Sequence, residues 1–250
     1  MNESIRYDAH THEYWLDYVR KDTKGKAGEW TTCDYGGSHQ LISVTQLLKK
    51  HGISRSYDNI DKEILRAKAE RGTLIHKYLE NFIKTGEKPI FDVSEIDSFE
   101  RWLKENNTEH LQSEQIVYSN LVAGTIDLVG YRNCKCADHM QSSGGELFFV
   151  DFKTSAILDY DACRWQLSLY CYLHQVGLTS VGGGYRGGYN ESHNLSVLHF
   201  QADGSIQEVK FSPVPHKDLI DLLEQEKLSR IKYPNNYCSV ILEKNIKIRS

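Results

Sequence analysis

Asp151 and Lys153 stand two residues apart at the end of the apolar run Phe148-Phe149-Val150. Alternate residues of an extended strand leave from one face, so this carboxylate and this ammonium project together. The pairing suits an acid that holds a divalent cation beside a lysine that meets developing negative charge. Asp127 lies in a preceding apolar segment, and antiparallel pairing through residues 131–146 brings it next to Asp151. Two buried carboxylates repel one another, and a bound cation removes that penalty. The plain alternative is a surface strand carrying an ordinary salt bridge. The large apolar residues before Asp151 argue against it, because they put both charges at the edge of a core, where unpaired charge is costly.

His76 and Glu80 are four apart in a helical stretch and share a face, as do Gln166 and Tyr170 further on. A neutral imidazole ligates Mn²⁺-like ions well. Gln166 and Tyr170 are placed to orient Lys153, a water or a phosphate. Taken singly, each has a bland reading, as a helix-surface histidine or a packed tyrosine. Together, two carboxylates, an imidazole, a lysine and a polar helix face are what metal-assisted phosphodiester hydrolysis requires.

The elements that must position them can be read along the chain. Residues 1–42 read as short strands and loops, with turns at Gly25–Gly28 and Gly36-Gly37. Ser43 caps a short helix running to Lys50 and closed by Gly52. A charged helix runs from Asp61 to Lys84, with Gly86 and Pro89 as stops, and Gly72 is expected to bend or split it. Another starts at Ser94 and ends near Asn106-Asn107. Strands follow at 116–118, 121–123, 126–129 and 147–150, with a hairpin tip at Ser142–Gly145. A helix over 160–176, strands at 195–200 and 206–211 about Ala202-Asp203-Gly204, and a helix over 216–230 complete the pattern. The expectation is one α/β domain over residues 1–250 with a central mixed sheet flanked by helices. Within it lie N-terminal strands and a short helix (1–60), a core (61–176) and a C-terminal hairpin, helix and basic tail (177–250).

The 250 residues suffice for a sizeable core, and 40% hydrophobic with 26% charged residues is ordinary for a globular chain. There is no apolar run of membrane-span length and no signal-peptide core at the N-terminus, so a cytoplasmic location away from membranes is expected. A net charge of −4 gives no bulk support for nucleic-acid binding. Two local basic groups, Lys62, Arg66, Lys68, Arg71 and Lys77, and the run Lys227, Arg230, Lys232, Lys244, Lys247 and Arg249, suit either a phosphate backbone or, as charge runs more often do, a solvated face. Six cysteines form no disulfide framework. Cys134 and Cys136, followed by Asp138 and His139, lack the second ligand pair of a structural zinc site, and a polar hairpin tip is the better reading. The glycine-rich run Gly182–Gly188 lacks the spacing of a nucleotide-binding loop and reads as a connection.

In order, Arg71-Gly72-x-x-x-His76, Gly124-Thr125-x-Asp127, Asp151-x-Lys153-Thr154-Ser155 and Gln166-x-x-x-Tyr170 resemble the motifs of the RecB-type branch of the PD-(D/E)XK nucleases. Leu41–Leu48 is similar to the Pro-Ser-Val-Thr-x-x-Leu stretch of phage-type and mitochondrial-type exonucleases of that branch, with Ile42 in place of the proline. The likeness spans about residues 41 to 175. It implies a restriction-endonuclease-like core and one or two Mg²⁺ or Mn²⁺ ions on His76, Asp127, Asp151 and the backbone carbonyl of Phe152. Lys153 would be the catalytic lysine, positioning or deprotonating the water, with Gln166 and Tyr170 beside it and Glu80 and Glu114 as supporting acids. Arg71, Thr73, Thr154 and Ser155, in or beside the motifs, would meet DNA. Cys33 and Cys238 do not match the cysteine pattern of the iron–sulfur members, so no cluster is expected. The implied activity is exonucleolytic hydrolysis of single- or double-stranded DNA with a free end, in phage recombination, repair or genome processing, with a single-strand-annealing or other recombination partner. A structure-specific or defence-related endonuclease, and a non-catalytic DNA-binding module, are the alternatives.

Overall fold

A computed structural model describes residues 2–8, 11, 13–24, 31–55, 60–133, 145–180 and 194–232. Its order is β1 (Asn2–Asp8), β2 (Glu13–Lys24), β3 (Thr31–Ser43), α1 (Val44–Lys50), α2 (Lys62–Thr85), α3 (Ser94–Glu105), β4 (Thr108–Tyr118), β5 (Val122–Arg132), β6 (Glu146–Lys153), α4 (Tyr160–Ser180), β7 (Asn194–Phe200), β8 (Ile206–Phe211) and α5 (His216–Lys232). The strands form one mixed sheet, β1-β2-β3-β5-β6-β7-β8, with β4 also on β5. β3 meets β5 and β6 meets β7 in parallel, and the other pairs are antiparallel.

Local signals explain the helices around the site. Ser43 and Gln46 form a reciprocal capping box at the start of α1. The Asp61 carboxylate accepts from the backbone N–H groups of Glu63 and Ile64, and Gly86, in the left-handed conformation, ends α2. Ile75 and Leu79, four apart on α2, pack with Ile96, Phe99 and Trp102 of α3 on Phe148, Val150 and Phe152. On the other face α1, α4 and α5 cover Phe149, Val197 and Val122 through Leu47, Leu167, Leu173 and Leu223. The alternation along β6 thus gives each face of the sheet its own core.

Three expectations are corrected. Gly36-Gly37 is no turn: both lie inside β3, paired with Val19 and Tyr18 of β2. Gly72 neither bends nor splits α2, which is continuous. A Cβ there would stand 2.9 Å from Thr154 Oγ1, so the glycine permits close approach of the helix to the segment after β6. The segments expected at 121–123 and 126–129 fall in one strand, β5 from Val122 to Arg132, which runs on through Gly124 and Thr125. Gly25–Gly28, Cys134–Gly144 and Gly182–Gly188 lie outside the described residues.

Candidate metal centre

β5 and β6 pair from Arg132↔Glu146 to Leu128↔Val150. The next facing pair in that register is Asp127 and Asp151, and there the ladder stops. In its place the backbone N–H of Phe152 donates to Asp127 Oδ2 at 2.6 Å. A side chain thus replaces a main-chain partner, and the strands part around two acids that are 9% and 3% exposed. Burying them uncompensated would be costly. The sequence between them encodes the arrangement, since Leu128, Val129, Phe149 and Val150 are all core residues.

Each acid has its own retinue. His76, from α2, places Nδ1 3.4 Å from Asp127 Oδ1, and its Nε2 lies 3.1 Å from the Phe152 carbonyl oxygen. Burial alone would lower the imidazole's affinity for its proton; the carboxylate of Asp127 more than offsets this and pushes the pKa up to about 9. For Asp127, burial acts upward, and His76 outweighs it, holding the carboxyl below its ordinary value. Asp151 Oδ2 is 2.7 Å from Lys153 Nζ, and its Oδ1 accepts from Gln166 Nε2 at 2.8 Å. Burial nonetheless keeps the Asp151 carboxyl above its usual range, with Asp127 adding to the effect. Lys153 is held above the usual lysine value: burial opposes its charge, and Asp151 overcomes burial. It therefore carries its proton at neutral pH and presents N–H donors at the edge of the group. Gln166 ties the group together, accepting from Lys153 Nζ at 3.2 Å and donating to Tyr170 Oη at 3.0 Å.

Glu114 brings in a third carboxylate. It sits on β4 opposite Asp127 in the strand register, in the left-handed region at φ 53°, where a non-glycine residue is strained. Burial, and then the neighbouring Asp127, push its pKa up to about 7. Ligand atoms of His76, Glu114 and Asp127 all lie within 4.8 Å of one another. An imidazole and two carboxylates at this spacing form a nitrogen–oxygen donor set suited to Mn²⁺ or Mg²⁺, while the expected Phe152 carbonyl lies against the other imidazole nitrogen, Nε2, rather than the Nδ1 that faces Asp127. The acid crowding that raises Glu114 is what a divalent ion relieves. Coordination requires His76 to give up its proton, so ion binding and proton release are coupled.

The other expected residues fall in three places. Gln166 and Tyr170 are buried inside the network. Glu80, one turn beyond His76, is ion-paired to Lys84 and lies outside the three-residue donor group. Arg71 donates to Glu95 at 2.6 Å, Thr73 and Ser155 are exposed, and Thr154 is half-buried beside Gly72. Arg230, part of the expected basic run, is 4% exposed and bonded to Glu226 at 2.9 Å, which removes it from a phosphate-facing role. The side chains of Lys232, Lys244, Lys247 and Arg249, like those of Cys33 and Cys238, lie outside the described residues.

Two contributions carry no clear signal in the sequence. Tyr14, from β2, shares a 2.7 Å hydrogen bond with Thr125 Oγ1, and its pKa is pushed up to about 12, by burial above all. Gly124 leaves room for the Tyr170 ring, since a Cβ there would meet Tyr170 Cε1 at 2.4 Å. Thus the glycine of Gly-Thr-x-Asp exists for a ring 46 positions downstream, a pairing that only the packed structure reveals.

No protein-family model and no curated protein matches this sequence. Among solved structures the chain is similar to SSO0001, at 14% identity and a TM-score of 0.36, over 80% of this chain and 84% of that one. It is also similar to a phage-related exonuclease from Haemophilus somnus 129PT, at 12% identity and a TM-score of 0.31, over 75% of this chain and 90% of that one. Both likenesses are remote, and no functional assignment follows from them.

Proposed function

We propose that this protein is a divalent-metal-dependent deoxyribonuclease that hydrolyses DNA from a free end. The supporting observation is the gathering of His76, Glu114 and Asp127 around one point, beside a lysine held in its charged form by Asp151. His76, Glu114 and Asp127 would hold Mg²⁺ or Mn²⁺, with Asp151 alongside and the Phe152 carbonyl fixing the other edge of the imidazole. A cation bound there supplies charge that polarises a phosphodiester and acidifies a water.

The chain's own groups do the rest. Lys153, protonated, donates to a non-bridging phosphate oxygen and offsets the charge that builds as water attacks phosphorus. Gln166 fixes the lysine through its amide oxygen and Asp151 through its amide nitrogen, so both keep their places as substrate enters. Tyr170, anchored in the core, holds Gln166 in turn. A bond forms from the water oxygen to phosphorus, the phosphorus–oxygen bond to the leaving nucleotide breaks, and the water's proton ends on that leaving oxygen or in solvent. Action at a free end is supported by the resemblance of Leu41–Leu48 to exonuclease sequences.

The test is digestion of end-labelled linear DNA with Mn²⁺, Mg²⁺ or EDTA, beside circular single-stranded DNA. Linear DNA should be degraded with either ion and spared in EDTA, and circles should survive. Lys153→Ala should cut activity by about 10²–10³-fold while DNA binding remains. Linearised circles would make the enzyme an endonuclease, and cleavage in EDTA would end the metal's part in it.

A further inference from the structure

One edge of β5 is followed by a single strand, β4, from Ala123 to Arg132. The other edge is shared. It meets β3 at Val122 and Ala123, and β6 from Leu128 to Arg132. Between them, from Gly124 to Asp127, no strand pairs with that edge among the described residues. On the β4 side, the backbone opposite Asp127 turns left-handed at Glu114, with φ 53°. The stretch that carries Asp127 is therefore weakly braced by the sheet, and a segment short of ladder hydrogen bonds moves more easily.

A side chain from outside the group reaches this stretch. The Tyr14 hydroxyl and Thr125 Oγ1 share a 2.7 Å hydrogen bond, two residues before Asp127. Tyr14 lies on β2, paired with Leu41 two residues before the end of β3. Its ring is 6% exposed, stacks on Tyr7 of β1 at 4.8 Å, and packs with Leu16, Leu41 and Ala123. Both strands of the N-terminal hairpin thus hold the ring, and the ring holds Thr125. The phenol keeps its proton at neutral pH, since burial first, then Tyr7, Glu114 and Asp127, favour its neutral form.

We infer that Tyr14 is a positioning residue for the metal centre: through Thr125 it fixes the unpaired stretch of β5, and so the place of Asp127 relative to Glu114 and His76. The inference rests on reading those three residues as a metal site, and it makes the β1–β2 hairpin part of that site. Without the phenol hydroxyl, Thr125 loses this partner and the stretch must be ordered when an ion binds. That cost appears as weaker affinity.

The experiment is calorimetric titration of Mn²⁺ into wild-type protein, Y14F, T125V, T125S and Y14F/T125V, beside chemical denaturation of each. Y14F keeps the stacked ring and removes only the hydroxyl. It should bind Mn²⁺ about tenfold more weakly, as loss of a group that orients a ligand does. T125V should match it, T125S should recover most of that loss, and the double variant should bind no worse than either single one. In cleavage assays Y14F should need more Mn²⁺ for half-maximal rate, with unchanged KM for DNA and a kcat that recovers as metal saturates. Unchanged Mn²⁺ affinity in Y14F and T125V, with lowered stability, makes the bond purely structural and overturns the inference. Additive losses in the double variant overturn it too. If Y14F does not fold, T125V against T125S decides. Wild-type protein that binds no Mn²⁺ overturns it together with the metal centre. Binding that depends on Tyr14 without any cleavage ends the nuclease reading and keeps the role of Tyr14. Cleavage with Mn²⁺ binding indifferent to Tyr14 does the reverse.

Discussion

Two buried acidic groups in this molecule have opposite accounts of their charge. Glu226, on α5, is 0% exposed, and both its oxygens are met by cations: Lys50 at 2.7 Å and Arg230 at 2.9 Å, with His51 nearby at 3.4 Å. Burial would raise its carboxyl, but Lys50 and Arg230 hold it below the ordinary value. The group formed by Glu114, Asp127 and Asp151 instead sets three carboxyls against His76 and Lys153, and Glu114 is left near 7. A buried cluster whose charges balance is a brace between α1 and α5. One with an excess of acid, and with backbone strain at Glu114, is built to receive positive charge.

The contrast breaks most visibly at Asp127 and Asp151. Asp127→Asn or Asp151→Asn should lower cleavage by about a thousandfold or more, with Mn²⁺ binding lost in calorimetry. Cleavage near the wild-type rate in both would place the chemistry elsewhere. Glu226→Ala should do the reverse, sparing activity per folded molecule and costing about 3–5 kcal/mol in chemical denaturation, because it removes the carboxylate that buried Arg230 and Lys50 both meet. Since the Glu226 pKa is lowered on folding, its contribution is present above about pH 4.5 and lost as pH falls through the folded value. The variant's stability should accordingly fall less on acidification.

Smaller effects sharpen the same difference. Gly124→Ala pushes a methyl group into the Tyr170 ring and should cost about 1–3 kcal/mol, with activity falling as Gln166 loses its anchor. Unchanged melting and unchanged rate would mean that the ring shifts freely. Glu114→Gln should stabilise the metal-free protein by about 1 kcal/mol, allowing for solvent screening, and weaken Mn²⁺ binding. The sign follows from its raised pKa: the ionised carboxylate opposes folding as pH rises from about 4.5 toward 7. Destabilisation by Gln would show Glu114 to be a structural partner, like Glu226.

Much of this was legible because it is local. Asp61 and Gly86 mark α2, Ser43 and Gln46 mark α1, and the continuous apolar run before Asp151 marks β6, whose extended backbone puts Asp151 and Lys153 on one face. The strands at the N-terminus were harder: β3 runs through Gly36-Gly37, where pairing to β2 overrides the usual turn preference of glycine. His76, Asp127, Asp151 and Lys153 could be nominated by residue type and order. Arg230 is neither solvated nor phosphate-facing, which a charge count cannot foresee, because it cannot tell an exposed arginine from one bonded to a buried carboxylate.

The sequence alone determined the alternation of helices and strands and the chemical types present, since propensity, capping and periodicity act over a few residues. It also put the acids beside runs too apolar to lie at a surface. Tertiary structure decided which acids meet: the β5–β6 ladder ends at Asp127 and Asp151, β4 brings Glu114 across, and α2 approaches through Gly72. Those proximities depend on register and packing between distant segments, and so do the pKa shifts that distinguish a metal-receptive group from a brace.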